Sequence, residues 1–143
     1  MNIEIPKIGM TFSRLLMPQI KDRKSFLKTL DNQNIKYDNI IVNPEGMKAT
    51  QSEFDLDKVR LMMSEPLRED SGIIISNDNY ILDGHHRWIV YFNLKRKMKV
   101  IKVDLPILEL MRIAKEQKNI DYKPVVECVI NVIKSSLATR KYK

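Results

Sequence analysis

The apolar residues change period at one place in the chain, and that change limits the fold more than any other feature. Gly72-Ile73-Ile74-Ile75-Ser76 is a continuous run of the kind a buried strand carries. Asn77-Asp78-Asn79 has the composition of a hairpin turn, and Tyr80-Ile81-Leu82-Asp83 reads as the returning strand. Past Gly84 the spacing turns helical, with His85, Ile89 and Phe92 on one side, so a helix starts at or just beyond Gly84. A hairpin that feeds a helix points to an α/β (α+β) fold, with the Asp83-Gly84 step at the strand-to-helix junction.

The same reading extends in both directions. Asp22 before Arg23 to Asn32, with Phe26, Leu27 and Leu30 at helical spacing, predicts a capped helix. Tyr37 to Val42 predicts a strand, Pro44-Glu45-Gly46 a turn, and this strand-turn segment leads into Met47-Lys48-Ala49-Thr50-Gln51. Ser52 or Asp55 is suited to cap a second helix, whose Leu56, Val59 and Met63 share a face and which ends near Pro66. Met98 to Leu105 predicts another strand, and Pro106 at a first helical position opens a helix carrying Ile107, Leu110, Met111 and Ala114. A last helix follows Pro124, with a stripe of Val126, Val129, Ile130, Ile133 and Leu137. No repeat or Gly/Ser linker divides the 143 residues, so one structural unit is expected. Its parts are an N-terminal extension and helix over 1–36, a core over 37–118, and a C-terminal helix with a basic tail over 119–143.

Composition narrows the class. Hydrophobic residues at 43% and charged residues at 30% describe an ordinary globular chain and exclude a disordered or low-complexity one. No apolar run approaches the roughly 18 to 20 residues of a bilayer span, so no membrane helix is expected. Met1-Asn2-Ile3-Glu4-Ile5-Pro6 has no basic start followed by an apolar stretch, which argues against a signal peptide and for a cytoplasmic protein. The lone Cys128 reads as a small hydrophobe on a helix. Lys and Arg number 25 against 18 Asp and Glu, and the net charge of +7 biases the surface toward nucleotides and other polyanions. The excess is densest at Lys95-Arg96-Lys97-Met98-Lys99 and at Arg140-Lys141-Tyr142-Lys143.

Chemistry concentrates at the junction. Asp83-Gly84-His85-His86-Arg87-Trp88 compresses an acid, a glycine, two imidazoles and a guanidinium into the first turn after a strand. Backbone N–H groups at a helix start carry partial positive charge, Gly84 lets a ligand approach the backbone, and Arg87 is suited to grip phosphate oxygens bidentately. Asp83 suits three roles: capping the helix, holding Mg²⁺ through water, or orienting an imidazole. Adjacent helical residues point about 100° apart, so His85 and His86 do not face one ion, and no Cys or third His nearby completes a zinc site. One histidine is expected to hydrogen-bond a phosphate or sugar, the other to be packed and satisfied, and Trp88 to belong to the core or a pocket wall.

The stretch from Met47 to Trp88, with Thr50-Gln51, a helix, the Gly72 to Ser76 strand and the Asp-Gly-His-His-Arg turn, resembles the ParB/sulfiredoxin-like superfamily. The likeness covers roughly residues 37 to 115. It is greatest to the short ParB-like domain proteins of bacteriophages and to the free-serine kinase branch. The resemblance implies a small mixed sheet with flanking helices that binds a nucleotide (ATP, ADP or CTP) with Mg²⁺. It implies phosphate contacts from Gly84, His85, His86 and Arg87, charge stabilisation by Arg87, metal or imidazole orientation by Asp83, and further cofactor contacts from Thr50 and Gln51. Gln51 departs from the serine kinase branch, which has Thr followed by a catalytic Glu. An amide accepts no proton as a base, so that role falls to Glu53 if it reaches the pocket, the other reading of Glu53 being a helix-start acid. The turn also lacks the Cys that sulfiredoxin requires, which disfavours sulfinic acid repair. The leading expectation is therefore an NTP-dependent phosphotransferase or NTPase of unknown acceptor. The alternative is a DNA-binding or nuclease-like ParB-type module held to nucleic acid by the basic surface.

Overall fold

The structure is a computed structural model that describes residues 2–6, 8–13, 17–67, 70–117 and 120–122. The expected C-terminal helix after Pro124, Cys128 and the basic tail lie outside the described residues. Among the described residues there are eight strands and four α-helices, an α+β fold, and no helix is long and apolar enough to cross a membrane.

Four strands form the main sheet. They are β3 (Tyr37–Val42), β5 (Asp70–Ile75), β6 (Ile81–Asp83) and β7 (Met98–Val103), in the order β3-β7-β5-β6. β7 pairs antiparallel with β3 and parallel with β5, and β5 pairs antiparallel with β6. A parallel β5/β7 pair needs a crossover. Helix α3 (His85–Asn93) lies within it, which is why the period change falls where it does.

Side-chain alternation along these strands divides the core. Ile74, Leu82, Ile101 and Val103 pack on one face with Phe26 and Leu30 of α1 (Arg23–Asn32) and Ile107, Leu110 and Met111 of α4 (Ile107–Lys115). Ile73, Ile75, Met98 and Val100 pack on the other with Val59 of α2 (Leu56–Met63) and Trp88, Ile89 and Val90 of α3. The sheet thus has helices on both faces. Caps fix the helix starts: Asp22 accepts from the Ser25 N–H at 3.1 Å, and Asp55, not Ser52, accepts from the Lys58 N–H at 3.1 Å. Pro106 occupies the N-cap of α4 at ψ 157° rather than the first helical position expected of it, and the helix begins one residue later at Ile107.

Two small sheets bring further segments to this core. β1 (Ile8–Phe12) runs parallel to β4 (Ala49–Gln51), and β2 (Pro18–Ile20) runs antiparallel to β8 (Ile120–Tyr122). Lys48 bridges β4 to the β6 end of the main sheet, its N–H donating to Asn79 O and its carbonyl accepting from Ile81 N–H, each at 2.9 Å. Strands β1 and β2 and helix α1 therefore join the core through β-pairing and through the apolar face of α1.

Candidate functional site

The junction residues meet at the start of α3. Gly84 is the N-cap at φ 99° and ψ 27°, a left-handed conformation that favours glycine. A Cβ there would stand 2.8 Å from Ile73 Cγ1 and 3.3 Å from Ile73 Cα, so the space that the missing side chain leaves is filled by β5. The glycine is set by the fold, and its backbone also lines a cavity of about 260 Å³.

Each imidazole accepts from a backbone amide. Thr50 N–H donates to His85 Nε2 at 3.1 Å, while Thr50 Oγ1 donates to Ile81 O at 2.8 Å and lies 3.1 Å from the same Nε2. Asp55 N–H donates to His86 Nε2 at 2.9 Å. An amide N–H only donates, so both Nε2 atoms carry lone pairs and both rings are neutral with the proton on Nδ1. His85 thereby ties α3 to β4, and His86 ties it to the cap of α2. Phe54 lies beside both rings, with centroids at 6.1 and 6.3 Å. Trp88 is fully buried, its indole N–H donating to Pro44 O at 2.8 Å, which places it in the core as the sequence suggests.

Cations converge on the cavity from three elements. Arg87 of α3, Lys58 of α2 and Arg23 of α1 line it together with His85, His86 and Asp83, the last the single carboxylate among the described lining residues. Arg87 crosses the start of β5, its Nη1 donating to Ser71 O at 3.0 Å. Gly72 makes that path available: at φ 72° it is left-handed, and a Cβ on it would lie 2.5 Å from Arg87 Nη1. Arg23 Nη2 donates to Asp70 Oδ2 at 2.7 Å, and the Gly72 N–H donates to Asp70 Oδ1 at 2.9 Å. The Arg23 hydrogen bond holds the Asp70 carboxyl below its ordinary value, helped by the Gly72 N–H and the Lys99 charge and opposed by desolvation. A second cavity of about 250 Å³ shares Lys58, Met62 and Arg87 with the first and is otherwise walled mainly by Pro66, Leu67, Val90 and Tyr91.

Asp83, Gly84, His85, His86 and Arg87 are thus brought together, and Thr50 stands behind them through His85. Gln51 and Glu53 are not among the cavity residues. Gln51 is fully buried; its Nε2 donates to Glu53 O at 2.7 Å and its Oε1 has no partner among the described residues. Glu53 is exposed, and its Oε1 accepts from Ser13 Oγ at 3.1 Å, which directs it toward the end of β1. Arg23, Lys58 and Gly72 belong to the site without belonging to the sequence motif. Arg23 had a signal: a cation in the first turn of a helix opposes the helix dipole, so its position serves something other than the helix. Among the described residues no group of three or more His, Cys, Asp or Glu is arranged to hold a metal ion. Compared with known proteins, the chain matches no family model, no curated protein and no solved structure.

Proposed function

We propose that the chain is a ParB/sulfiredoxin-like nucleotide-binding domain that transfers or hydrolyses the terminal phosphoryl group of a nucleoside triphosphate. The observation that carries this reading is the convergence of Arg23, Lys58 and Arg87 on a cavity at the N-terminus of α3, where Asp83 is the one carboxylate among the described lining residues. Fixed cations and helix-start amides are what a phosphate site needs, because phosphoryl transfer asks the protein chiefly to position charge and neutralise it. In this reading the polar cavity takes the phosphates, and the neighbouring cavity beyond Lys58 and Met62, with its largely apolar walls, takes the base. Asp83 would hold a Mg²⁺ delivered with the nucleotide, and that ion would supply neutralisation of the charge developing on the phosphates.

The test is calorimetric titration of ATP, ADP, CTP and GTP with and without Mg²⁺, followed by phosphate release. At least one nucleotide is expected to bind, and Arg87→Ala to weaken it by about 1.5–3 kcal/mol, the range of a hydrogen bond to a charged group. Unchanged affinity in that variant rejects the site. A nucleic-acid-binding reading, with or without nuclease chemistry, has one observation in its favour: Lys95, Arg96 and Lys97 form an exposed basic loop directly after α3. It requires an affinity for DNA that falls with salt at a slope of about −0.9 per phosphate contacted, unaffected by Arg87→Ala.

A further inference from the structure

We infer that Arg23 is the second guanidinium of the phosphate site and that it makes the site selective for ligands with two or more linked phosphoryl groups. The inference rests on the reading of this cavity as a phosphate site and adds to it a selectivity set by the segment before residue 37.

Arg23 and Arg87 reach the cavity from different elements and meet across one residue. A Cβ built on Gly72 would lie 2.5 Å from Arg87 Nη1 and 3.5 Å from Arg23 Nη1, so the two guanidinium groups flank the same bare stretch of backbone. Each is held from behind, Arg87 by Ser71 O and Arg23 by Asp70 Oδ2. Two like charges brought side by side repel, and an anion between them removes that cost. Asp70 offsets part of the repulsion from the rim, and Lys58 adds a further cation to the lining. Beyond its pair with Asp70, nothing within α1 itself accounts for Arg23. It is the first residue of α1, where a positive charge opposes the helix dipole, and the first turn contains no acidic residue.

A guanidinium presents a planar fork that matches two oxygens of one phosphoryl group. Two separately anchored forks suit two phosphoryl groups better than one. A single phosphoryl group satisfies Arg87, at the start of α3, and leaves Arg23 on Asp70. A diphosphate or longer chain reaches both. Arg23 is accordingly a specificity residue whose effect grows with the number of linked phosphates.

The test uses the full chain and probes without a base: inorganic phosphate, pyrophosphate and tripolyphosphate, titrated calorimetrically into wild type, Arg23→Gln, Arg23→Lys and Arg87→Ala, with circular dichroism and thermal melting to verify folding. Pyrophosphate is expected to bind wild type more tightly than phosphate. Arg23→Gln should weaken pyrophosphate and tripolyphosphate about tenfold or more, as loss of a charge-assisted pair does, and leave phosphate within about twofold. Arg23→Lys, which keeps charge without the fork, should recover only part of the loss. An equal loss for all three probes, or none, overturns the inference. So does an Arg23→Gln chain that fails to fold while Arg23→Lys folds and binds all probes as wild type does. Wild type that binds pyrophosphate but no nucleotide retains the inference and rejects the nucleotide reading, whereas wild type that binds none of the probes rejects both.

Discussion

Gly84 shows how a single residue answers to the fold before it answers to a ligand. Its left-handed φ and its packing against Ile73 Cα and Cγ1 leave no room for a side chain on the β5 side. Gly84→Val should therefore lower stability by on the order of 3 kcal/mol, combining left-handed strain with overpacking, and urea unfolding should register that loss whether or not a ligand is present. A variant as stable as wild type would mean that the turn adopts another conformation. The acids separate in the same way. Asp83 lines the cavity and Glu53 faces Ser13. Asp83→Asn should abolish nucleotide turnover, while Glu53→Gln should leave it within about twofold, far from the 10²–10⁴-fold loss expected of a displaced general base. A large loss in Glu53→Gln, with nucleotide affinity retained, would return the base role to Glu53.

Elements with their own periodicity were legible. Helix α1 with its Asp22 cap, strand β3, the β5/β6 hairpin and the start of α3 all fall where apolar spacing and cap chemistry put them. The three-residue strands β2, β4 and β8 were not, because so short a segment has no period and its partner is chosen by tertiary packing. The site divides along the same line. Asp83 to Arg87 are contiguous and could be read as a motif, whereas Arg23, Lys58 and Gly72 come from three other elements and join them only in space. The join between α1 and β5 combines the apolar packing of Phe26 and Leu30 against Ile74 with an ion pair that titrates. Asp70 has its carboxyl depressed by Arg23, so the pair contributes stability above the unfolded carboxylate value of about 3.9 and loses it as pH falls through the lower folded value. Acid titration of wild type should show a destabilising step below pH about 4 that Asp70→Asn lacks. The step should be small, since both side chains are more than a third exposed. Identical acid profiles for the two proteins would remove the pair from the account of stability.

The molecule as a whole is a mixed sheet covered on both faces, with the candidate site at one end, where α1, α2 and α3 all contribute to a single cavity. A ligand there touches three helices at once. Bound at about 100 times its dissociation constant it should add roughly 2.7 kcal/mol of stability, and the resulting protection from hydrogen exchange should extend to the first turns of all three. Protection limited to α3 would mean that the ligand lies outside the shared cavity. The β2/β8 pairing carries a consequence in time. Gln19 and Ile20 of β2 line the cavity, and the strand that clasps them, β8, follows almost a hundred residues of intervening chain. On the ribosome the Arg23 segment emerges well before its clasp and must wait until residues 120–122 have cleared the exit tunnel, so under the phosphate-site reading the growing chain would complete the cavity wall only after β3, β5, β6 and β7 have emerged.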